Sequence, residues 1–276
     1  FDKLLFVDSS NAMTPSNWLS LDSISGSAGK DGVALKMLSP VAPDGKVTTL
    51  FIPPEKRNLV AIDLHWDAKK LLYTADGMTN RGRQLFEVDL PVKTDPKTKL
   101  PIVREIETIK YQDVSNYDAC YTPDDSIIFV STATMNGVPC IQGKSPIGNL
   151  YRRKTDGMIE RLTNDQDHDW HPTVLPNGRI MYLRWDYTDT PHAFNRIMFS
   201  MNPDGTGQAA MYGSNSYWPN CMFYPKPIPG SSTKFVASIV GHHSGTQGGM
   251  FLFDTAKGTF EADGVVQQIP GYKKPA

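Results

Sequence analysis

Polar turns that give way to short apolar runs recur along this chain at intervals a little above fifty residues. Three copies stand out: Trp66-Asp67-Ala68-Lys69-Lys70-Leu71-Leu72-Tyr73, Pro123-Asp124-Asp125-Ser126-Ile127-Ile128-Phe129 and Pro176-Asn177-Gly178-Arg179-Ile180-Met181-Tyr182. With Lys70, Ser126 and Arg179 as equivalents, a looser copy follows at Lys234-Phe235-Val236-Ala237. The turn residues predict hairpins: Pro fixes φ, while Asp, Asn and Gly supply the turn conformations ahead of branched and aromatic strand residues. A second hairpin follows in each unit. Asn149–Arg153 turns at Thr155-Asp156-Gly157 into Ile159–Thr163, and Arg196–Met201 turns at Asn202-Pro203-Asp204-Gly205 into Gln208–Tyr212.

Two hairpins per period give four antiparallel strands, the content of one β-propeller blade. No helical periodicity interrupts the pattern, and 21 Pro and 22 Gly spaced at turn intervals break any long helix. The expectation is an all-β fold, a β-propeller of four-stranded antiparallel blades. Five units are counted, at roughly 1–58, 59–111, 112–164, 165–214 and 215–276, within one domain. A propeller must close or leave strand edges exposed. Five such units with a loose first one suggest part of a larger propeller on a longer chain; a compact five-blade propeller is the alternative.

Charge narrows the partners. With 28 basic and 29 acidic residues the net charge is -1, which argues against nucleic acid. No apolar run approaches the roughly 18 residues of a membrane span. Three cysteines without a CxxC or CxxCH exclude covalent c-type haem attachment within this segment, and Cys120 and Cys140 could pair only if their strands adjoin.

The unit running from Leu162-Thr163 through Pro172 to Pro176-Asn177-Gly178-Arg179-Ile180-Met181-Tyr182 resembles the TolB-type, WD-like propeller repeat. A longer similarity spans Asp167-His168-Asp169-Trp170-His171-Pro172, Tyr182–Tyr187, Met201–Gly207, Tyr212–Pro219, Pro227–Gly230 and Gly241-His242-His243. It resembles bacterial proteins related to the hydrazine synthase alpha subunit, in its middle propeller domain, most densely over 115–270. That resemblance implies a propeller within an exported polypeptide, periplasmic or at the cell surface, with further domains in the same chain. The named subunit carries c-type haems; lacking CxxCH, this segment inherits no haem ligation from it.

In TolB-like blades the strand before the turn is innermost and its start faces the channel. That rule makes Ile62, Asp118, His171 and Trp218 equivalent, flanked by Tyr117, by Asp167, His168, Asp169 and Trp170, and by Asn215, Ser216 and Tyr217. Polar and aromatic groups would converge on one mouth. A carbohydrate or protein partner bound there would meet Tyr117, Asp118, Asp167, Trp170, Tyr187, Tyr217 and Trp218. A second reading assigns His168, His171, His242 and His243 to a divalent metal (Zn, Mn or Ca) in a polysaccharide lyase or hydrolase, with Gln247 nearby. His168 and His171 are three apart, so they share an ion only if the strand turns between them; buried histidines bonded to backbone are the plainer explanation. A third reading is the propeller part of a multihaem redox subunit. Asp165, Asp167 and Asp169 alternate like the start of a calcium loop, but Pro176 stands where its Glu would be, and a solvated acidic turn fits better.

Overall fold

The computed structural model describes residues 2–8, 33–54, 59–76, 82–185, 196–241 and 248–270, apart from the Cys140 side chain. Nineteen strands and one short 3-10 turn, Pro139–Ile141, make up the regular structure among these residues. β1 (Leu4–Asp8), β2 (Ala34–Ser39) and β3 (Lys46–Phe51) form a three-stranded sheet. Two four-stranded sheets follow, β4 (Val60–Leu64) to β7 (Val103–Glu105) and β8 (Asn116–Tyr121) to β11 (Ile159–Arg161), with β5 (Lys70–Asp76), β6 (Arg83–Asp89), β9 (Ile127–Ser131) and β10 (Asn149–Arg153) between.

The remaining eight strands form two more such units. β12 (Asp169–Val174), β13 (Ile180–Trp185), β14 (Arg196–Met201) and β15 (Ala209–Tyr212) make one, and β16 (Cys221–Pro227), β17 (Lys234–Val240), β18 (Gly249–Asp254) and β19 (Val265–Ile269) the other. A single parallel bridge, Arg196 to Cys221, links them. Each unit is an antiparallel meander in chain order, and β4, β8, β12 and β16 pack side by side. The ring of sheets is not closed among the described residues, and β1 pairs with β2 alone.

Both faces of the middle sheets are covered: every residue of β8, β9 and β12 is buried, including the polar Asn116, Asp118, Asp169 and His171. Aromatic rings fill the seams between sheets. Trp170 of β12 is fully buried and its Nε1–H donates to the Tyr117 hydroxyl of β8 at 3.1 Å. Gly148 makes this seam possible, because a Cβ there would lie 2.3 Å from the Tyr117 hydroxyl. A polar contact closes the neighbouring seam. His65, after β4, has Nδ1 at 2.7 Å from Asp67 and Nε2 at 2.6 Å from Asp125 in the next sheet's turn. Cys120 is a free, buried thiol, so the conceivable Cys120–Cys140 pair does not form.

Candidate ligand site in the central channel

All four inner strands bulge at the same place. Register slips fall between Val60 and Asp63, Tyr117 and Cys120, Trp170 and Thr173, and Phe223 and Lys226. At each slip one non-glycine residue enters the left-handed region: Ala61 (φ 49°), Asp118 (φ 51°), His171 (φ 57°) and Tyr224 (φ 52°). That conformation costs an L-residue about 1–2 kcal/mol, so four matching instances mean that packing imposes it. A bulge re-aims a side chain out of the ladder. Here the four residues, with their successors Ile62, Ala119, Pro172 and Pro225 and with Lys226, line a cavity of about 180 Å3.

Side chains of one blade cap the bulge of the next. The Asp118 N–H donates to Thr74 Oγ1 at 3.0 Å. Asp118 Oδ2 accepts the His171 N–H at 2.7 Å and lies 2.9 Å from His171 Nδ1. Burial is the largest influence on the Asp118 carboxyl and pushes its pKa up, but the charge of His171 and both hydrogen bonds from that residue outweigh it and hold it below the usual range. With Nδ1 facing a carboxylate, the imidazole is oriented and its Nε2 is left over. That atom is buried and has no hydrogen-bond partner. The Tyr224 ring lies across the imidazole at 4.6 Å between centroids, and Tyr224 is 41% exposed.

A second cavity of about 220 Å3 adjoins, lined by residues that follow on the same strands, among them Asp63, Cys120, Tyr121 and Thr173, and by Trp66. Lys226 borders both cavities. Its Nζ is 3.8 Å from Asp63 Oδ1, too long for a hydrogen bond. Asp63 also accepts the Tyr121 N–H at 2.9 Å. Burial raises its pKa against the opposing pull of Lys226 and that N–H. Burial likewise keeps the Cys120 thiol protonated, which removes it as a nucleophile.

The structure redistributes the residues expected at the mouth. Asp118 and His171 meet in the channel, and Ile62 lines it one position after the bulge residue Ala61. Trp218 does not belong with them: it precedes β16, packs edge-on to Phe251, and Tyr224 takes the equivalent place. The N–H groups of Tyr217 and Trp218 are held by the Glu261 carboxylate at 2.8 and 3.0 Å, with the Tyr217 ring exposed. Tyr117 and Trp170 are fully buried in the blade seam, out of a ligand's reach. His168 is fully buried too: its Nδ1 accepts the Gly148 N–H at 3.1 Å and its ring stacks on Trp170 at 4.1 Å, the packing role of a core histidine.

The acidic turn is not solvated. Asp167 and Asp169 are buried, Asp169 and Asp165 pair with Arg184, and burial pushes the Asp167 carboxyl up to about 6 despite the pull of Arg196. Tyr187, His192, His242, His243 and Gln247 lie outside the described residues. Among the described residues no three His, Cys, Asp or Glu side chains converge as a metal centre would need. Thr74, Asp63, Trp66, Tyr224 and Lys226 join the site without being expected there from the sequence. One signal was available for Tyr224: Asp118, His171 and Tyr224 each stand five residues before a turn proline, Pro123, Pro176 and Pro229.

This arrangement has counterparts among solved structures. The hydrazine synthase of Kuenenia stuttgartiensis superposes with a TM-score of 0.65 at 13% identity, over 92% of this chain and 37% of that one. A putative TolB from Agrobacterium tumefaciens gives 0.57 at 14% identity, over 93% of this chain and 86% of that one. The chain is a β-propeller. An oligogalacturonate lyase from Vibrio parahaemolyticus gives 0.50 at 14% identity, covering 92% of this chain and 69% of that one. The propeller spans little more than a third of the hydrazine synthase chain, and at these identities the likeness is one of fold. No known sequence family and no curated protein matches it.

Proposed function

We propose that this propeller binds a small carbohydrate in its central channel, in an exported, periplasmic or cell-surface protein. The observation that carries the reading is the lining of this cavity, on which Asp118, His171, Tyr224 and Lys226 converge, with the His171 Nε2 buried and without a partner. Buried polar atoms are nearly always satisfied, so an orphan on a cavity-lining side chain supports a polar occupant. The lining suits a sugar: Tyr224 offers a flat face to a ring's C–H surface, while Asp118, His171 and Lys226 bring acceptors and donors to its hydroxyls. About 180 Å3 accommodates the volume of roughly six waters, enough for one sugar unit or part of one.

Calorimetric titration with a panel of neutral and acidic monosaccharides tests this. Binding is expected in at least one case, weakened tenfold or more in Tyr224→Ala and in His171→Ala, with the fold checked by circular dichroism. Absence of binding across the panel at millimolar sugar, or full binding by both variants, would overturn it.

A further inference from the structure

We infer that the channel holds a linear oligosaccharide of at least two units rather than a lone monosaccharide, an inference that rests on the carbohydrate reading above. The two cavities are successive storeys of one shaft. The first is bounded by Ile62, Ala119, Pro172 and Pro225, and the second by the residues that come next on the same strands, Asp63, Cys120, Thr173 and Lys226. A strand rises about 3.3 Å per residue, so a shift of one or two residues displaces the second cavity by about 3–7 Å, the scale of one sugar ring.

Each storey has its own platform. Tyr224, 41% exposed, stands at the first, and Trp66, 60% exposed, at the second. A large exposed indole at a polar cavity is unusual for a ring that could be buried, and it is the group that sugars stack on. Lys226 borders both storeys and its ammonium has only the 3.8 Å approach to Asp63 as an ion pair among the described residues. Its three N–H donors therefore sit at the junction, where a linkage oxygen and its neighbouring hydroxyls would lie. The second cavity adds Asp63 and Thr173 as polar partners for the next unit.

The test titrates two homologous series, glucose, cellobiose and cellotriose, and xylose, xylobiose and xylotriose, together with any monosaccharide that the panel identifies and its β-linked dimer. The dimer is expected to bind at least tenfold more tightly than its monomer. Trp66→Ala should bring the dimer down to the monomer's affinity and leave the monomer unchanged, whereas Tyr224→Ala should weaken both. Trp66 is exposed, so its removal leaves the core intact, which a melting curve verifies. Equal affinity of monomer and dimer, or a Trp66→Ala variant that weakens both alike, overturns the two-unit inference while the monosaccharide reading stands. No binding by any of these sugars overturns both.

Discussion

His65 shows how much a single side chain can be asked to do at a blade seam. Carboxylates face both of its ring nitrogens, and only the imidazolium can donate to both. Burial works to lower its pKa, but the hydrogen bonds that it donates to Asp125 and Asp67 prevail and raise it above 6.5. The stabilisation is therefore complete below the unfolded value and is lost as pH climbs through the higher folded one. Asp67 acts in the opposite sense: the Lys69 N–H, then His65, hold its carboxyl low, so its share persists until strongly acid conditions. Lys70 nearby opposes the charge on His65 without reversing the balance. The melting temperature of the wild type is expected to fall as pH rises above 6.5. His65→Gln should flatten that part of the profile, and an unchanged slope in the variant would refute the assignment.

Among elements, the inner strands explain both what could be read from the chain and what could not. Turn chemistry is local, so Pro123-Asp124-Asp125 and Pro176-Asn177-Gly178 marked their hairpins directly. A bulge depends on the partner strand and on the neighbouring blade, and nothing in a single strand's apolar run announces it. Two aromatic-proline pairs, Trp218-Pro219 and Tyr224-Pro225, competed for one structural place. The bulky Trp218 suggested the channel, whereas distance to the turn proline selects Tyr224. Asp118 and His171 were legible because polar residues amid a buried strand need a reason. Thr74 was not, since threonine is ordinary in a strand. Thr74→Val keeps the shape but removes the acceptor for the buried Asp118 N–H. It should lower stability by about 1–3 kcal/mol in urea unfolding and weaken the proposed sugar binding, with Thr74→Ser restoring both.

For the molecule as a whole, the seams between blades matter more than the blades. The ladders hold each sheet together, whereas packing, one parallel bridge and a few polar side-chain contacts join one sheet to the next. Trp170 plugs the seam between the second and third four-stranded sheets, fully buried and bonded to Tyr117. Trp170→Ala is expected to cost about 3–5 kcal/mol, and Trp170→Phe less, by chemical denaturation. A cost below about 1 kcal/mol would mean that the seam contributes little. The channel assignment depends on the same seam, because Asp118 and His171 sit on its two sides.

Three of the four kinked positions around the shaft present a carboxylate, an imidazole and a phenol; the fourth, Ala61, presents a methyl group. Its backbone is already held in the unusual conformation, so a bigger group there would inherit the aim of its three companions without new scaffolding. Selectivity in such a frame can drift or be engineered at one codon, independently of the architecture that holds the others in place.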